Sequence, residues 1–243
     1  MDRSIFLPDD LANGSYCMFG GSYRWALHVD GTLEIEGRGC VDREERYVVN
    51  SGDGWDSHYS TEMDKWPWEG LRDYVRRVVL HEGITKLGYG AFEKCSNLAE
   101  VCLPESLTEI DTSAFRNTAL KSIRLPAGLK KVSCSAFEGT PMMKEEDFYL
   151  DGWLIRHWEK EKKTYTVRPG TVKIADSALE FGKIEELHIP GSVQLIGENE
   201  IRTLRRVYLG AGCTADAEKA FFKCKPADYR ITVEQALIIR EQE

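Results

Sequence analysis

One acidic and aromatic cluster stands out among the residues whose types could do chemistry. Residues 50–66 contain carboxylates, a histidine and aromatic rings, namely Asp53, Trp55, Asp56, His58, Tyr59, Glu62, Asp64 and Trp66. Carboxylate oxygens are the ligands that Ca²⁺ prefers, and exposed rings beside them could stack on sugars. The spacing fits no calcium-loop template, however. We therefore interpret the segment as a packed, solvated capping loop, and a glycan- or calcium-binding surface protein that uses this loop is the alternative function.

No residue pattern predicts catalysis. The histidines, at positions 28, 58, 81, 157 and 188, are scattered, and no two have metal-ligand spacing. The chain has no Gly-x-Ser-x-Gly motif, no His-Glu-x-x-His motif and no phosphate-binding loop. A nucleophilic Cys17 or Cys134 would need a neighbouring base and a lowered pKa, which the sequence does not show. We therefore expect a non-enzymatic protein with no cofactor and no metal.

The composition of the chain limits its size class, the molecules that it could bind and its location. The 243 residues are 42% hydrophobic, which is enough for a packed core in one domain or two. A net charge of −8 disfavours nucleic acid, which binds basic surfaces. No apolar run reaches the length of a membrane span, so membrane insertion is not expected. Seven cysteines without paired spacing favour a reducing compartment, and the beginning of the chain is unlike a secretory leader, so we expect a cytoplasmic protein, with a mature form whose leader was removed as the alternative.

The chain repeats two short apolar patterns five times each. The first pattern reads apolar, two variable, apolar, variable, apolar, and it covers residues 75–80, 98–103, 120–125, 184–189 and 204–209. The second places an aliphatic and a large apolar residue five positions apart, at 87–92, 110–115, 132–137, 174–179 and 196–201. The first two units begin 23 residues apart, at Val75 and Leu98. A period of this length predicts a solenoid, because one unit cannot bury its own apolar face.

Each unit should contain one strand and one turn. The first pattern predicts a short strand, and a proline should end it because proline cannot donate to a strand ladder. Half of the chain's eight prolines lie in that slot, at positions 104, 126, 169 and 190. The second pattern predicts a turn or a single helical turn that drives a large residue such as Phe115 into the core.

Two hairpins and two indoles flank or interrupt the units. Apolar alternation from Trp25 to Val29, then the Asp30-Gly31 turn, predicts a hairpin that ends at Gly37 and Gly39. The Trp66-Pro-Trp68 segment should anchor the open end of the stack, and residues 148–155 should form a second hairpin around Asp151-Gly152. We predict a β-hairpin cap and loop over 1–70, a solenoid over 71–210 with a hairpin insertion near 140–166, and a C-terminal cap over 211–243.

These motifs resemble those of the BspA-like leucine-rich repeat proteins. Residues 84–98, Ile-Thr-Lys-Leu-Gly-Tyr-Gly-Ala-Phe-Glu-Lys-Cys-Ser-Asn-Leu, fit that family's unit closely. Residues 25–37, 66–68 and 151–155 are similar to its cap, its pre-repeat anchor and its mid-array hairpin. The fifth unit departs from the pattern, since Glu200-Ile201 replaces Ala-Phe.

The resemblance and the repeats together define the expected fold and role. We expect a leucine-rich repeat solenoid that is β-rich, a right-handed α/β-type horseshoe with short strands and single helical turns, and an N-terminal β capping segment. The resemblance also implies a non-enzymatic bacterial protein, often surface-exposed, that makes protein or matrix contacts.

The strand face is the sharper functional candidate. Strand alternation sends Val101 and Leu103 inward, so that Glu100 and Cys102 point outward. The same register in every unit gives one row with Arg77, Glu100, Ser122, Glu186 and Arg206, and a second with Val79, Cys102, Arg124, His188 and Tyr208. We expect these rows to bind an unidentified protein partner. The alternative is that solvent-facing positions simply vary without a binding role.

Overall fold

A computed structural model describes residues 10–18, 21–42, 66–159, 161–224 and 230–233. The chain forms two compact units, one of residues 1–129 and 136–142, the other of residues 130–135 and 143–243. Each unit stacks backbone coils through parallel strand pairs. The predicted solenoid of short strands is therefore confirmed within each unit, whereas the predicted segment boundaries at residues 70 and 210 stay a prediction.

The first unit begins with an antiparallel meander and continues as parallel coils. Its strands are β1 (Asp10–Met18), β2 (Gly21–His28), β3 (Thr32–Val41), β4 (Arg77–Leu80), β5 (Ile84–Leu87), β6 (Glu100–Cys102) and β7 (Glu109–Ile110). A 3-10 helix covers Glu69–Tyr74. Strand β3 pairs antiparallel with β2 and parallel with both β4 and β5, while β4 pairs with β6 and β5 with β7. The meander thus supplies the edge on which the first coil assembles.

The first two coils of this unit each have two short strands, where the sequence predicted one. The first strand is the expected one, for example β6, which ends before Pro104. The second lies just before the turn block, as β5 and β7 do. Strands of two to four residues are too short for period-two alternation to show in the sequence.

The cap strand runs further than predicted. Gly37 and Gly39 were expected to end it, yet β3 continues to Val41 through a register shift after Gly39. Both glycines have positive φ, +151° and +83°, and a Cβ at Gly37 would lie 2.2 Å from the Ser22 carbonyl oxygen. The two glycines therefore allow the strand to bend, and they do not end it. Val29, assigned to the apolar alternation, is 69% exposed at the turn.

A column of aromatic rings forms the core of the first unit. Trp66 stacks on Trp68, Trp68 on Phe92, Phe92 on Phe115 and Phe115 on Phe137, with ring centroids 5.3–5.7 Å apart. All five side chains are buried. The indole Nε1 of Trp68 also donates a 2.8 Å hydrogen bond to the Ala91 carbonyl oxygen. The two indoles therefore anchor the stack as the sequence predicted, because they occupy the position that a further ring would take.

The second unit contains two parallel sheets and one hairpin. Its elements are β8 (Lys131–Val132), β9 (Asp147–Leu150), β10 (Trp153–His157), β11 (Thr164–Thr166), β12 (Lys173–Ile174), β13 (Glu186–Ile189), β14 (Leu195–Ile196), β15 (Arg206–Leu209), α1 (Ala217–Ala220) and β16 (Arg230–Val233). One sheet has the order β14-β12-β10-β9 and the other β11-β13-β15-β16. The predicted hairpin around Asp151-Gly152 is confirmed as β9 and β10, which pair antiparallel.

The turn blocks contain little helix. In both units their Ala and large apolar residues are fully or nearly fully buried, as at Phe115 and Leu179. Within the residues that the structure describes, helix is confined to Glu69–Tyr74 and α1, so the expected single helical turns are mostly plain turns.

In the unit that departs from the pattern, a side chain accepts the hydrogen bond that a backbone carbonyl oxygen accepts in the regular turns. In the regular turns, the buried Phe92 and Phe115 amides donate to carbonyl oxygens of the next coil. At Leu179, the amide donates instead to Asn199 Oδ1 at 2.9 Å. The Asn199 amide group, 2% exposed, also donates to the Ala175 carbonyl oxygen at 3.1 Å. Asn199 thereby completes the turn although Glu200, in the slot of the usual alanine, is exposed.

Candidate interaction surface

The second unit places four predicted surface residues side by side. Parallel pairing of β13 and β15 sets Glu186 opposite Arg206 and His188 opposite Tyr208. The Arg206 Nη1 atom lies 2.8 Å from Glu186 Oε1. The His188 and Tyr208 rings stack with centroids 4.4 Å apart and planes 10° apart. Because Leu187 and Val207 between them are fully buried, the four named side chains lie on the outer side of the sheet.

Strand β11 extends this outer face with two residues that the sequence analysis missed. Thr164 pairs with Glu186 and Thr166 with His188, and both threonines are exposed. Their signal was incomplete, since Pro169 follows β11 after two residues whereas Pro190 follows β13 directly. We call Thr164, Thr166, Glu186, His188, Arg206 and Tyr208 the second-unit face.

The first unit brings together three predicted residues. Parallel pairing sets Arg77 opposite Glu100 and Val79 opposite Cys102. Arg77 Nε lies 3.3 Å from Glu100 Oε1, and Arg77 Nη2 lies 3.5 Å from the Cys102 sulfur. These contacts, to Cys102 first and Glu100 second, raise the pKa of Arg77, so its charge is permanent. The arrangement repeats the charge pair of the second-unit face.

Ser122 and Arg124 are exposed as predicted, but their segment is not a regular strand. Residues 120–125 keep the inward pattern, since Leu120, Ile123 and Leu125 are buried. Their backbone nevertheless makes no strand pairing that extends β6. The side chains alternate as a strand's would, although the ladder is lost. We call Arg77, Val79, Glu100, Cys102, Ser122 and Arg124 the first-unit face.

A buried polar network lies under the hairpin of the second unit. His157 is fully buried, and its Nδ1 lies 2.5 Å from Asp147 Oδ1. Tyr165 donates a 2.9 Å hydrogen bond to Asp147 Oδ2 and stacks on the His157 ring, and burial raises the Tyr165 pKa. Tyr149 completes the network through a 2.9 Å contact with the Tyr165 hydroxyl. Sequence spacing could not predict this cluster, because its members come from β9, β10 and β11.

The described cysteines are thiols. Cys40, Cys95, Cys102, Cys213 and Cys224 form no disulfide. Burial raises the pKa of Cys95 to about 12, which suppresses its thiolate. Cys134, weighed above as a nucleophile, is 4% exposed. The side chain of Cys17, the other thiol weighed, lies outside the described residues.

The acidic and aromatic segment 50–66 lies outside the described residues, apart from Trp66. Trp66 is 2% exposed and stacked on Trp68, so it is not an exposed ring of the kind that the glycan-binding alternative requires. Among the described side chains, no group of three or more His, Cys, Asp and Glu has a metal-binding arrangement. Within the same residues, no helix has the length and hydropathy needed to cross a bilayer.

Comparison with protein families identifies the repeats. The model described as "BspA type Leucine rich repeat region (6 copies)" matches residues 72–146. A search of curated proteins finds no significant match.

Solved structures of bacterial leucine-rich repeat proteins are also similar. One from Eubacterium ventriosum is 22% identical, with 83% of this chain and 45% of that chain covered and a TM-score of 0.45. One from Bacteroides ovatus is 19% identical, with 90% and 67% covered and a TM-score of 0.31. The leucine-rich repeat protein of T. pallidum is 18% identical, with 81% and 89% covered and a TM-score of 0.30. The chain thus spans less than half the length of the Eubacterium protein.

Proposed function

Residues 72–146 of this chain are BspA-type leucine-rich repeats, and we propose that the protein is a non-enzymatic binding module whose outer strand faces contact a partner protein. Repeat proteins of this construction use extended rows of neighbouring side chains for recognition. The first-unit face and the second-unit face are the surfaces that we assign to this role.

The observation that carries the proposal is the contrast between the two sides of the second-unit sheet. Inward positions hold Tyr165, Leu187 and Val207, all buried in register. Outward positions in the next row hold a threonine, a histidine and a tyrosine, which differ in size, charge and hydrogen bonding. Packing therefore does not dictate the outer residues, whereas binding to a particular partner would.

The chemistry of the second-unit face suits a protein partner. Tyrosine and arginine are enriched among the residues that dominate protein–protein binding energy. The stacked rings of His188 and Tyr208 present apolar area with polar edges, and the pair of Glu186 and Arg206 flanks them. A flat aromatic centre with a charged rim matches the usual anatomy of such interfaces.

The buried histidine network does not favour an enzyme. The Nε2 atom of His157 is buried and has no hydrogen-bond partner, so it faces neither solvent nor a nucleophile among the described side chains. A general base must lie within hydrogen-bond reach of the proton that it abstracts. The network is better explained as the polar interior of the hairpin.

A comparison of affinity purifications tests the proposal. The wild-type chain and the variant Arg124→Ala/Glu186→Ala/Tyr208→Ala would serve as bait in lysate of the source organism, with quantitative mass spectrometry of bound proteins. Glu198→Ala/Glu218→Ala is the matched control, since both glutamates are exposed away from the strand faces. We expect the triple variant to lose at least about tenfold of a specific partner, as truncation of a hot-spot residue does. Equal recovery by wild type and triple variant would defeat the assignment of these faces.

A cytoplasmic location is part of the proposal. Cys95 and Cys224 are buried thiols outside any disulfide, which suits a reducing compartment. Fractionation of the source cells would contradict this if the protein were found at the surface or in the medium.

A further inference from the structure

The first unit concentrates cations on one side of its coils. Beside Arg77, the residues Arg76, Lys121 and Arg124 are exposed at the outer edge of strand β4 and of residues 120–125. We call these four side chains the cationic strip. Two carboxylates interact with Arg77, namely Glu100 on the intervening strand and Asp30 at the turn of the cap hairpin. In the whole chain acidic residues outnumber Lys and Arg by 40 to 32. The strip therefore carries positive charge on a protein whose net charge is negative.

Most cations of the strip have no ion-pair partner among the residues that the structure describes. Arg77 lies 3.3 Å from Glu100 and forms the ion pair already described. Arg76, Lys121 and Arg124 make no ion pair with any other residue that the structure describes. Some cations of the unit are paired, as Lys86 is, which lies within 3.6 Å of both Glu109 and Asp111, whereas Arg38 and Lys94 are off the strip and also have no ion-pair partner among the described residues. Three cations without an ion-pair partner among the described residues thus lie in neighbouring coils of a protein whose net charge is −8, and an anionic partner could bind them.

The strip borders an apolar floor. Val79 and Cys102, in the second outward row, are half-buried. Neighbouring strands lie about 4.8 Å apart, so the strip extends over roughly 10 Å from β4 to residues 120–125. An extended peptide covers that distance with about three residues, at roughly 3.3 Å each. The surface matches a short carboxylate-bearing segment with an apolar side chain among its acids.

We propose that the cationic strip is the docking site for an acidic segment of the partner protein. This inference rests on the proposed function and adds the partner's chemistry to it. Charge complementarity raises the association rate and rejects basic competitors. A nucleic acid is the weaker candidate, because it would meet about four cations where specific complexes commonly make six to ten phosphate contacts, and because the remaining surface repels it.

Fluorescence anisotropy on the full chain tests the docking site. The probe is a labelled ten-residue peptide that alternates Glu-Glu with single Ser and Val residues, and its counterpart carries Gln in place of Glu. The site variant is Lys121→Glu/Arg124→Glu. The control, Arg38→Glu/Lys94→Glu, makes the same change in net charge at exposed positions off the strip. A labelled oligothymidine of the same length measures the response to a polyanion.

We expect the wild type to bind the Glu peptide at least about tenfold more tightly than the Gln peptide in about 50 mM salt. This preference should weaken several-fold near 300 mM, where screening shortens the range of charge interactions. The site variant should lose at least about tenfold of the affinity for the Glu peptide, and the control less than about threefold.

Three results would overturn the inference: equal binding of the two peptides, equal loss in the site and control variants, or tighter binding of oligothymidine than of the Glu peptide. Its failure is distinguishable from failure of the proposed function. A partner that depends on Glu186 and Tyr208, while the Glu peptide does not bind, would leave the binding module standing and remove only the acidic docking segment.

Discussion

Truncation of the central ring in the aromatic column should be among the most costly single changes to the first unit. Phe115 is fully buried and stacks on Phe92 at 5.5 Å and on Phe137 at 5.6 Å. Phe→Ala substitutions in cores cost about 3–5 kcal/mol, of which part is the cavity left behind. Because each stacked pair adds about 0.5–1.5 kcal/mol beyond burial, and Phe115 makes two, we expect Phe115→Ala near the upper end of that range.

Two further variants separate the contributions. Phe115→Leu keeps most of the volume but removes both ring contacts, so it should cost about 1–2 kcal/mol. Tyr74→Ala removes an aromatic side chain that is 57% exposed in the same unit, and it should change the free energy of unfolding by less than about 0.5 kcal/mol.

Urea denaturation at 25 °C, followed by far-UV circular dichroism and tryptophan fluorescence, measures these differences. Since each coil contacts only its neighbours, loss of the central ring should also separate the unfolding transitions that the two probes detect. A cost for Phe115→Ala below about 1.5 kcal/mol, or no larger than that of Tyr74→Ala, would show that the column does not couple the coils.

Two other outcomes follow from the second unit. Asn199→Ala should lower the free energy of unfolding by about 1–3 kcal/mol in urea titrations, because the buried Leu179 amide loses its acceptor, while the exposed neighbour change Glu200→Ala should have little effect. Burial is the main cause of the raised pKa of Asp176, so Asp176→Asn should stabilise the protein slightly at pH 7, by less than about 1 kcal/mol. The native state binds the Asp176 proton more tightly than the unfolded chain, so this advantage should fade as pH falls through the raised pKa; an advantage that grows in acid would contradict the reasoning.

The repeat periodicity was sufficient to predict the coils and their core. Apolar residues at fixed offsets have one common cause, the burial of each unit on its neighbours, and so Phe92, Phe115 and Phe137 could be assigned to one column before any coordinates. The outward direction of Glu186 and Tyr208 followed from strand alternation in the same way. Local sequence is informative here because every contact it implies is between adjacent coils.

Features that depend on contacts at irregular positions of the coils were visible only in the tertiary structure. The continuation of β3 past Gly37 is fixed by the close approach of Ser22, and sequence cannot distinguish a glycine that bends a strand from one that ends it. The role of Asn199 depends on its amide reaching a backbone amide twenty positions earlier. The surroundings of Arg124 and the pairing of His157 with Asp147 do not recur from one repeat to the next. Each is set by neighbours in three dimensions, so the repeat pattern could not predict it.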